Sequence, residues 1–232
     1  GLNIQFIFEL HCVGMRILII EKETALQNNM ATSLRERGFA VDMSHDGQDG
    51  LFMAANFDYD AIILNPDLQF VDGWQVLQRI RRFHTIPILV VSCTPSKNEL
   101  INARNQGADD YVEAFCSAQE IVARIGALIR RSCGNPQPNV DVGNYVIDFV
   151  NKLIKHNGEP VDISAKEYGL IEYLALNKDK IVSRTELYQH LYQEVESTLS
   201  NCLDVRVSRI RSKRGKNFIK THRGFGYSLM AG

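Results

Sequence analysis

The stretch 201–215, NCLDVRVSRIRSKRG, carries the side chains best suited to a polyanion. Leu203, Val207 and Ile210 stand at i, i+4 and i+7, an apolar stripe that a helix turns toward a core. Arg206, Arg209 and Lys213 stand at i, i+3 and i+7 on another face, with Asn201, Val205 and Ser208 close by. Such a helix can lie in a major groove, where arginine forks read guanine, asparagine reads adenine and serine bonds a base or phosphate. Downstream, Lys220, Thr221, His222 and Arg223 precede Gly224 and Gly226 in a segment patterned as a hairpin. Short basic and hydroxyl side chains on a thin hairpin suit phosphate contacts at the adjacent groove. A solvated helix face would carry some of the same charges, above all Arg211 and Arg214, either in water or paired with Asp204.

The charge distribution agrees with a polyanion partner for the tail. Residues 1–138 hold 12 Lys/Arg against 16 Asp/Glu, whereas residues 139–232 hold 14 against 11. Within 201–232 eight basic residues face one acid, Asp204. The five cysteines are scattered and odd in number, with no C-x-x-C pair, which fits reduced thiols in the cytoplasm. Neither a metal site nor a cofactor is expected, and no nucleophile–base pair marks an enzyme. Residues 1–14 lack the basic start of a signal peptide and are too short to span a bilayer. They read as a cloning remnant or an upstream mis-start, with Met15 the natural first residue. No other stretch is apolar enough for a membrane.

The elements that position these residues follow from hydrophobic spacing. RILII (16–20), FAVDMS (39–44), DAIIL (60–64), PILVVS (87–92) and ADDYV (108–112) read as strands. Helical patterns over 24–37, 46–56, 72–83, 96–106 and 117–131 alternate with them, making five βα units. Apolar strands alternating with helices imply a doubly wound parallel α/β sheet over 15–131. Any site in such a sheet lies beyond the strands' carboxyl ends, here 21–23, 65–67, Ser92 and 113–114. The proline- and glycine-bearing segment 132–140 reads as a linker. From 141 to 232 the pattern becomes α+β: small antiparallel strands turning at His156-Asn157-Gly158, helices over 164–176, 183–192 and 198–213, and a closing hairpin. Ser164 with Glu167, and Ser183 with Glu186, have capping-box spacing.

The blocks ISAKEYGLIEYLALNKDKIVSRTEL (163–187), DVRVSRIRSK (204–213) and IKTHRGFGYSL (219–229) resemble the winged helix-turn-helix domain of OmpR/PhoB-type two-component response regulators. The resemblance implies a transcription regulator on double-stranded DNA. Arg206, Arg209, Arg211 and Lys213 would face DNA from the recognition helix, and Thr221 and Arg223 from the wing. A loop at about 193–198 would contact RNA polymerase. The first domain resembles the receiver of the same family, which accepts a phosphoryl group on an aspartate with the help of Mg²⁺ and a lysine. Here the motifs depart. The acidic cluster is Glu21-Lys22-Glu23, with a cation at its centre; the acceptor position is Asn65; the clamp lysine is Ala114. Asp67, the switch hydroxyl Ser92 and the switch aromatic Tyr111 remain. Lys22 is expected to stand in for the metal by pairing with Glu21, Glu23 or Asp67. The resemblance also implies a homodimer face carrying Asp109, Asp110, Glu120, Arg124 and Arg131, with Leu100 where a basic residue is usual. The expectation is a constitutively dimeric, phosphorylation-independent regulator. The alternatives are a regulator switched by non-standard phosphorylation or by a ligand, and a module that titrates a partner.

Overall fold

Four consecutive apolar side chains, Ile17, Leu18, Ile19 and Ile20, are fully buried, as in a strand covered on both faces. They belong to β1 (Arg16–Ile20), in a computed structural model that describes residues 15–93, 96–178, 180–191 and 202–229. The strands that follow are β2 (Ala40–Ser44), β3 (Ala61–Leu64), β4 (Ile88–Ser92) and β5 (Asp110–Glu113). All pair in parallel, in the order β2-β1-β3-β4-β5. Helices α1 (Thr24–Glu36), α2 (Gly47–Asn56), α3 (Gly73–Arg81), α4 (Lys97–Asn105) and α5 (Ala118–Ser132) make the crossovers. The doubly wound α/β expectation therefore holds, with one shift. β5 starts later than the apolar pattern, because Ala108 closes α4 by donating to Ala103 O at 2.9 Å and the Asp109 carboxylate accepts from Ile88 N at 2.8 Å. In α1 the buried face is Gln27, Met30, Ala31 and Leu34, while Leu26 is only half-buried.

The chain divides into two compact units, with the break between Pro138 and Asn139. The second unit opens with four antiparallel strands, β6 (Asn139–Val142), β7 (Tyr145–Asp148), β8 (Leu153–His156) and β9 (Glu159–Pro160). β6 lies partly inside the expected linker, because Val140 and Val142 alternate inward and pair with β7. Asn157 and Gly158 both have positive φ, 51° and 88°, the signature of a tight two-residue hairpin turn. Helices α6 (Ala165–Leu176), α7 (Arg184–Leu191) and α8 (Cys202–Arg214) follow. Strands β10 (Ile219–His222) and β11 (Gly226–Leu229) then form the closing hairpin. Together these make the α+β unit expected from the pattern, in the winged-helix form that the resemblance implies. The Ser164–Glu167 capping box closes in both directions. Ser183 caps only one way: its Oγ accepts from Glu186 N at 3.1 Å, but the Glu186 carboxylate accepts instead from Tyr173 OH at 3.1 Å. Leu203, Val207 and Ile210 bury α8 as their spacing requires.

Candidate functional site

At the carboxyl edge of the parallel sheet, Asn65 is 2% exposed and makes a closed set of hydrogen bonds. Its Oδ1 accepts from Asp67 N at 2.8 Å, which turns the amide nitrogen toward the first strand. There Nδ2 donates to both carboxylate oxygens of Glu21, each at 2.9 Å. Glu21 also accepts from Glu23 N at 2.8 Å. Burial pushes the Glu21 carboxyl above its ordinary value, against the pull of these two donors. Lys22 Nζ reaches Asp67 Oδ2 at 2.5 Å, so of the three expected partners it takes Asp67. Glu23 offers its backbone N–H and leaves its side chain exposed. Ala114 is buried at the end of β5, its N–H donating to Ser92 O at 2.8 Å.

A third carboxylate, one the sequence did not single out, controls the remaining pair. Ser92 Oγ and Tyr111 OH both donate to Glu99 Oε2, at 2.9 and 3.0 Å. Glu99 sits in the first turn of α4, where Ser96 Oγ accepts its N–H at 3.0 Å. A single helix terminus thus holds both hydroxyls.

The basic residues of α8 fall into two groups. Val205, Ser208, Arg209 and Ser212 form its exposed spine, at i, i+3, i+4 and i+7, opposite the buried stripe. Arg209 has no side-chain partner among the described residues, and Arg206 is half-buried. Arg211 departs from the DNA-facing expectation. Its Nε and Nη2 donate to Ile219 O at 2.9 and 2.6 Å, and Nη2 also reaches Thr221 Oγ1 at 2.7 Å. This ties α8 to β10 and occupies Thr221 as well. Lys213 is likewise engaged, its Nζ donating to Glu167 Oε2 at 3.0 Å on the capping box of α6. Arg214 donates to Asp162 O at 2.5 Å. Neither Arg211 nor Arg214 pairs with Asp204. That carboxylate takes a two-pronged ion pair from Arg184, 2.7 Å on each prong, and a hydrogen bond from Tyr227 OH at 2.7 Å. The Arg184 guanidinium and the Tyr227 hydroxyl hold the Asp204 carboxyl down to about 2. Lys220 and Arg223 are exposed and without side-chain partners among the described residues. Asn201 and the loop 193–198 lie outside the described residues.

A parallel α/β unit with a polar carboxyl edge, followed by a winged helix that exposes Arg209 on its third helix, is the arrangement that the comparisons match. Residues 17–126 match the family described as response regulator receiver domain, and residues 158–229 the one described as transcriptional regulatory protein, C terminal. The chain is similar to the transcriptional regulatory protein QseB of Haemophilus influenzae, with 35% identity over 216 residues that cover 93% of this chain and 98% of that protein. The chain belongs to the OmpR/PhoB-type response regulators. The transcriptional regulatory protein PmrA of Pectobacterium parmentieri is 31% identical over 219 residues, 94% of this chain and 99% of that protein. In fold, the chain resembles the receiver domain of the Francisella response regulator 1452, with a TM-score of 0.50 and 23% identity over 51% of this chain and 99% of that one. It is a DNA-binding transcription regulator of this type, a family generally without enzymatic activity and typically engaging RNA polymerase. No helix among the described residues is long and apolar enough to cross a membrane.

On the receiver, the charges expected at a dimer face are satisfied within the chain. Arg124 bonds Asp110 at 2.8 Å and Glu120 at 2.6 Å, its own i−4 neighbour. Asp109 departs from the expectation. It bonds Arg81 at 2.6 Å and Ile88 N at 2.8 Å, closing the turn before β5. Arg131 is exposed, with its Nε 3.4 Å from Ala127 O. Beside the Arg124 network lies an open groove of ≈ 620 Å³, lined by Leu100, Tyr111, Val112, Phe115 and Cys116 together with Glu120. Phe115 is 83% exposed at its rim.

Proposed function

We propose that this regulator works without aspartyl phosphorylation, as a constitutive homodimer in the cytoplasm, on double-stranded DNA and in contact with RNA polymerase. The receiver would comprise residues 15–131 and the DNA-binding domain residues 141–232, with residues 1–14 outside both. The carrying observation is the Asn65 amide seated on both oxygens of Glu21. An amide has no nucleophilic oxygen to accept a phosphoryl group. Its two donors already satisfy the carboxylate that would otherwise need a metal. Of the other acids, Asp67 is neutralised by Lys22, and exposed Glu23 gives its backbone N–H to Glu21. A divalent cation requires free, deprotonated oxygen ligands, so this donor set does not fit one. Ala114 supplies no charge for phosphoryl oxygens. The Glu99 carboxylate holds the Ser92 and Tyr111 hydroxyls without any phosphoryl group. Full-length protein incubated with acetyl phosphate and Mg²⁺ is expected to keep its intact mass; addition of one phosphoryl group overturns the reading.

The dimer would rest on the groove between α4, β5 and α5, at its apolar residues Leu100 and Phe115. Leu100 takes the place of a basic residue there and offers surface that a second copy can bury. Burying one leucine side chain is worth roughly 1.5–3 kcal/mol, about one to two decades in dimer affinity. Leu100→Glu adds a carboxylate beside Glu113 and Glu120 and is expected to dissociate the dimer at micromolar concentration. Sedimentation equilibrium of untreated wild type and variant checks this; a monomeric wild type rejects it. The DNA contacts of this reading are Arg206, Arg209, Lys220 and Arg223. Arg211, Lys213 and Thr221 support them from within the fold.

A further inference from the structure

The tip of the β10–β11 hairpin carries an aromatic ring, Phe225, that is 73% exposed. A lone exposed apolar residue is ordinary on a protein surface, so its setting has to decide whether it matters. The tip is a defined turn. Phe225 N donates to His222 O at 2.9 Å, and Gly224 between them has φ 78°, a conformation that glycine adopts without strain. The hairpin is also held firmly at its base. Gly226 passes so close to the Val182 carbonyl that a Cβ there would collide with it. That approach lets Val182 and Tyr227 exchange backbone hydrogen bonds of 2.8 and 2.9 Å. The Arg211 fork on Ile219 and Thr221, and the Tyr227 hydroxyl on Asp204, then bind the hairpin to both ends of α8. When α8 lies in a major groove, the position of the tip is therefore already fixed.

The reach of the hairpin decides where the ring falls. Three residue steps of strand run from Ile219 to His222, where the turn begins, which at ~3.3 Å per step is ~10 Å. The neighbouring minor groove lies half of the ~34 Å helical repeat away, about 17 Å. The turn from His222 to Phe225 and the ring of Phe225 span the remainder. The surroundings suit a polyanion: Arg223 stands two residues before the ring, Lys220 lies on the same strand, and both are exposed.

We propose that Phe225 is an apolar wedge that enters the minor groove beside the recognition helix and partly unstacks one base step, while Arg223 and Lys220 hold the flanking phosphates. Proteins that kink a duplex from the minor groove insert apolar side chains in this manner. Unstacking costs least at pyrimidine–purine steps. The regulator should therefore prefer such a step at the wing position, although no hydrogen bond there reads a base.

The test uses the full-length chain and a duplex that it selects from a random-sequence library. 2-Aminopurine is placed in turn at each step flanking the half-site. Wild type is expected to raise the fluorescence at one step. Phe225→Ala should abolish that rise and lower affinity about ten-fold, as removal of one base–aromatic contact does. It should leave the dependence of log K on log[salt] unchanged, because no charge is lost. Phe225→Leu, which keeps an apolar wedge, should retain most of the signal. Arg223→Ala should instead reduce the salt slope by about one. The proposal is overturned if Phe225→Ala binds and reports like wild type, or if it loses affinity with no 2-aminopurine signal ever present in wild type. It is equally overturned if DNA binding stays intact while transcription falls, since the ring would then contact a protein.

Discussion

Asn65→Asp is expected to destabilise the receiver by about 3 kcal/mol at neutral pH, the range for breaking a buried charged hydrogen-bond pair, and still to yield no phosphoryl acceptor. The substitution restores the family's residue type to a site whose neighbours have changed. In the wild type, one amide nitrogen satisfies both oxygens of a buried carboxylate at 2.9 Å. A carboxylate in its place would face those same oxygens at hydrogen-bonding distance, with no donor between them. Like charges this close cannot both stay ionised, and the pair titrates as a unit with one proton strongly retained. Glu21 already sits above its ordinary value through burial, so the variant's folded state should bind a proton that its unfolded state has released at neutral pH. The sign follows from linkage: folded pKa values raised above the unfolded ones make the deficit largest at high pH and shrink it as pH falls toward about 5. Trp74, the one tryptophan of the chain, packs half-buried against the receiver core. Its fluorescence in urea titrations at pH 8 and pH 5 therefore isolates this domain. A deficit relative to wild type that is equal at both pH values would falsify the account, and so would phosphorylation of the Asn65→Asp variant at the substituted position while Lys22 and Ala114 remain.

The strands and the departures of the acceptor site were legible because they depend on residue identity. An apolar run such as RILII has one comfortable place, the middle of a covered parallel sheet. An asparagine after a third strand cannot act as an aspartate wherever its side chain points. What the sequence left open was partner choice among several candidates within reach. Lys22 had three acids nearby, and only the geometry selects Asp67. Glu99 carried no signal at all: a glutamate in the first turn of a helix is expected for its effect on the helix dipole alone, and its grip on Ser92 and Tyr111 needs the fold to bring β4, β5 and α4 together. The same blindness affects the recognition helix. Periodicity separates a buried stripe from an exposed one, but it does not separate an arginine that reads DNA from one that reaches sideways to a carbonyl. Long side chains at the margins of the stripe do either, and Arg211, Lys213 and Arg214 all fold back onto the protein.

That division among the basic residues of α8 gives the prediction that separates reading from scaffolding. Arg209→Ala is expected to weaken duplex binding by roughly 1–3 kcal/mol, the cost of losing a base-reading arginine, with the thermal midpoint unchanged. Its side chain lies on the exposed spine and holds nothing else among the described residues. Arg211→Ala should lower both stability and binding. Three hydrogen bonds from one cation to Ile219 and Thr221 are lost, a buried carbonyl is left with a cation removed, and the wing is freed from the helix. Hydrogen bonds to charged groups are worth about 1.5–3 kcal/mol each before compensation by water, and the partly exposed setting of Arg211 places the net cost toward the lower end. Lys213→Ala should act mainly through α6. It leaves the buried Glu167 with its capping bonds but without its cation, so some stability should be lost while sequence preference is retained. Thermal melts of the three full-length variants, paired with binding to a library-selected duplex over a range of salt, resolve the two classes. If Lys213→Ala relaxes sequence preference at one position and Arg209→Ala does not, the roles are reversed and α8 meets the groove along its Lys213 edge.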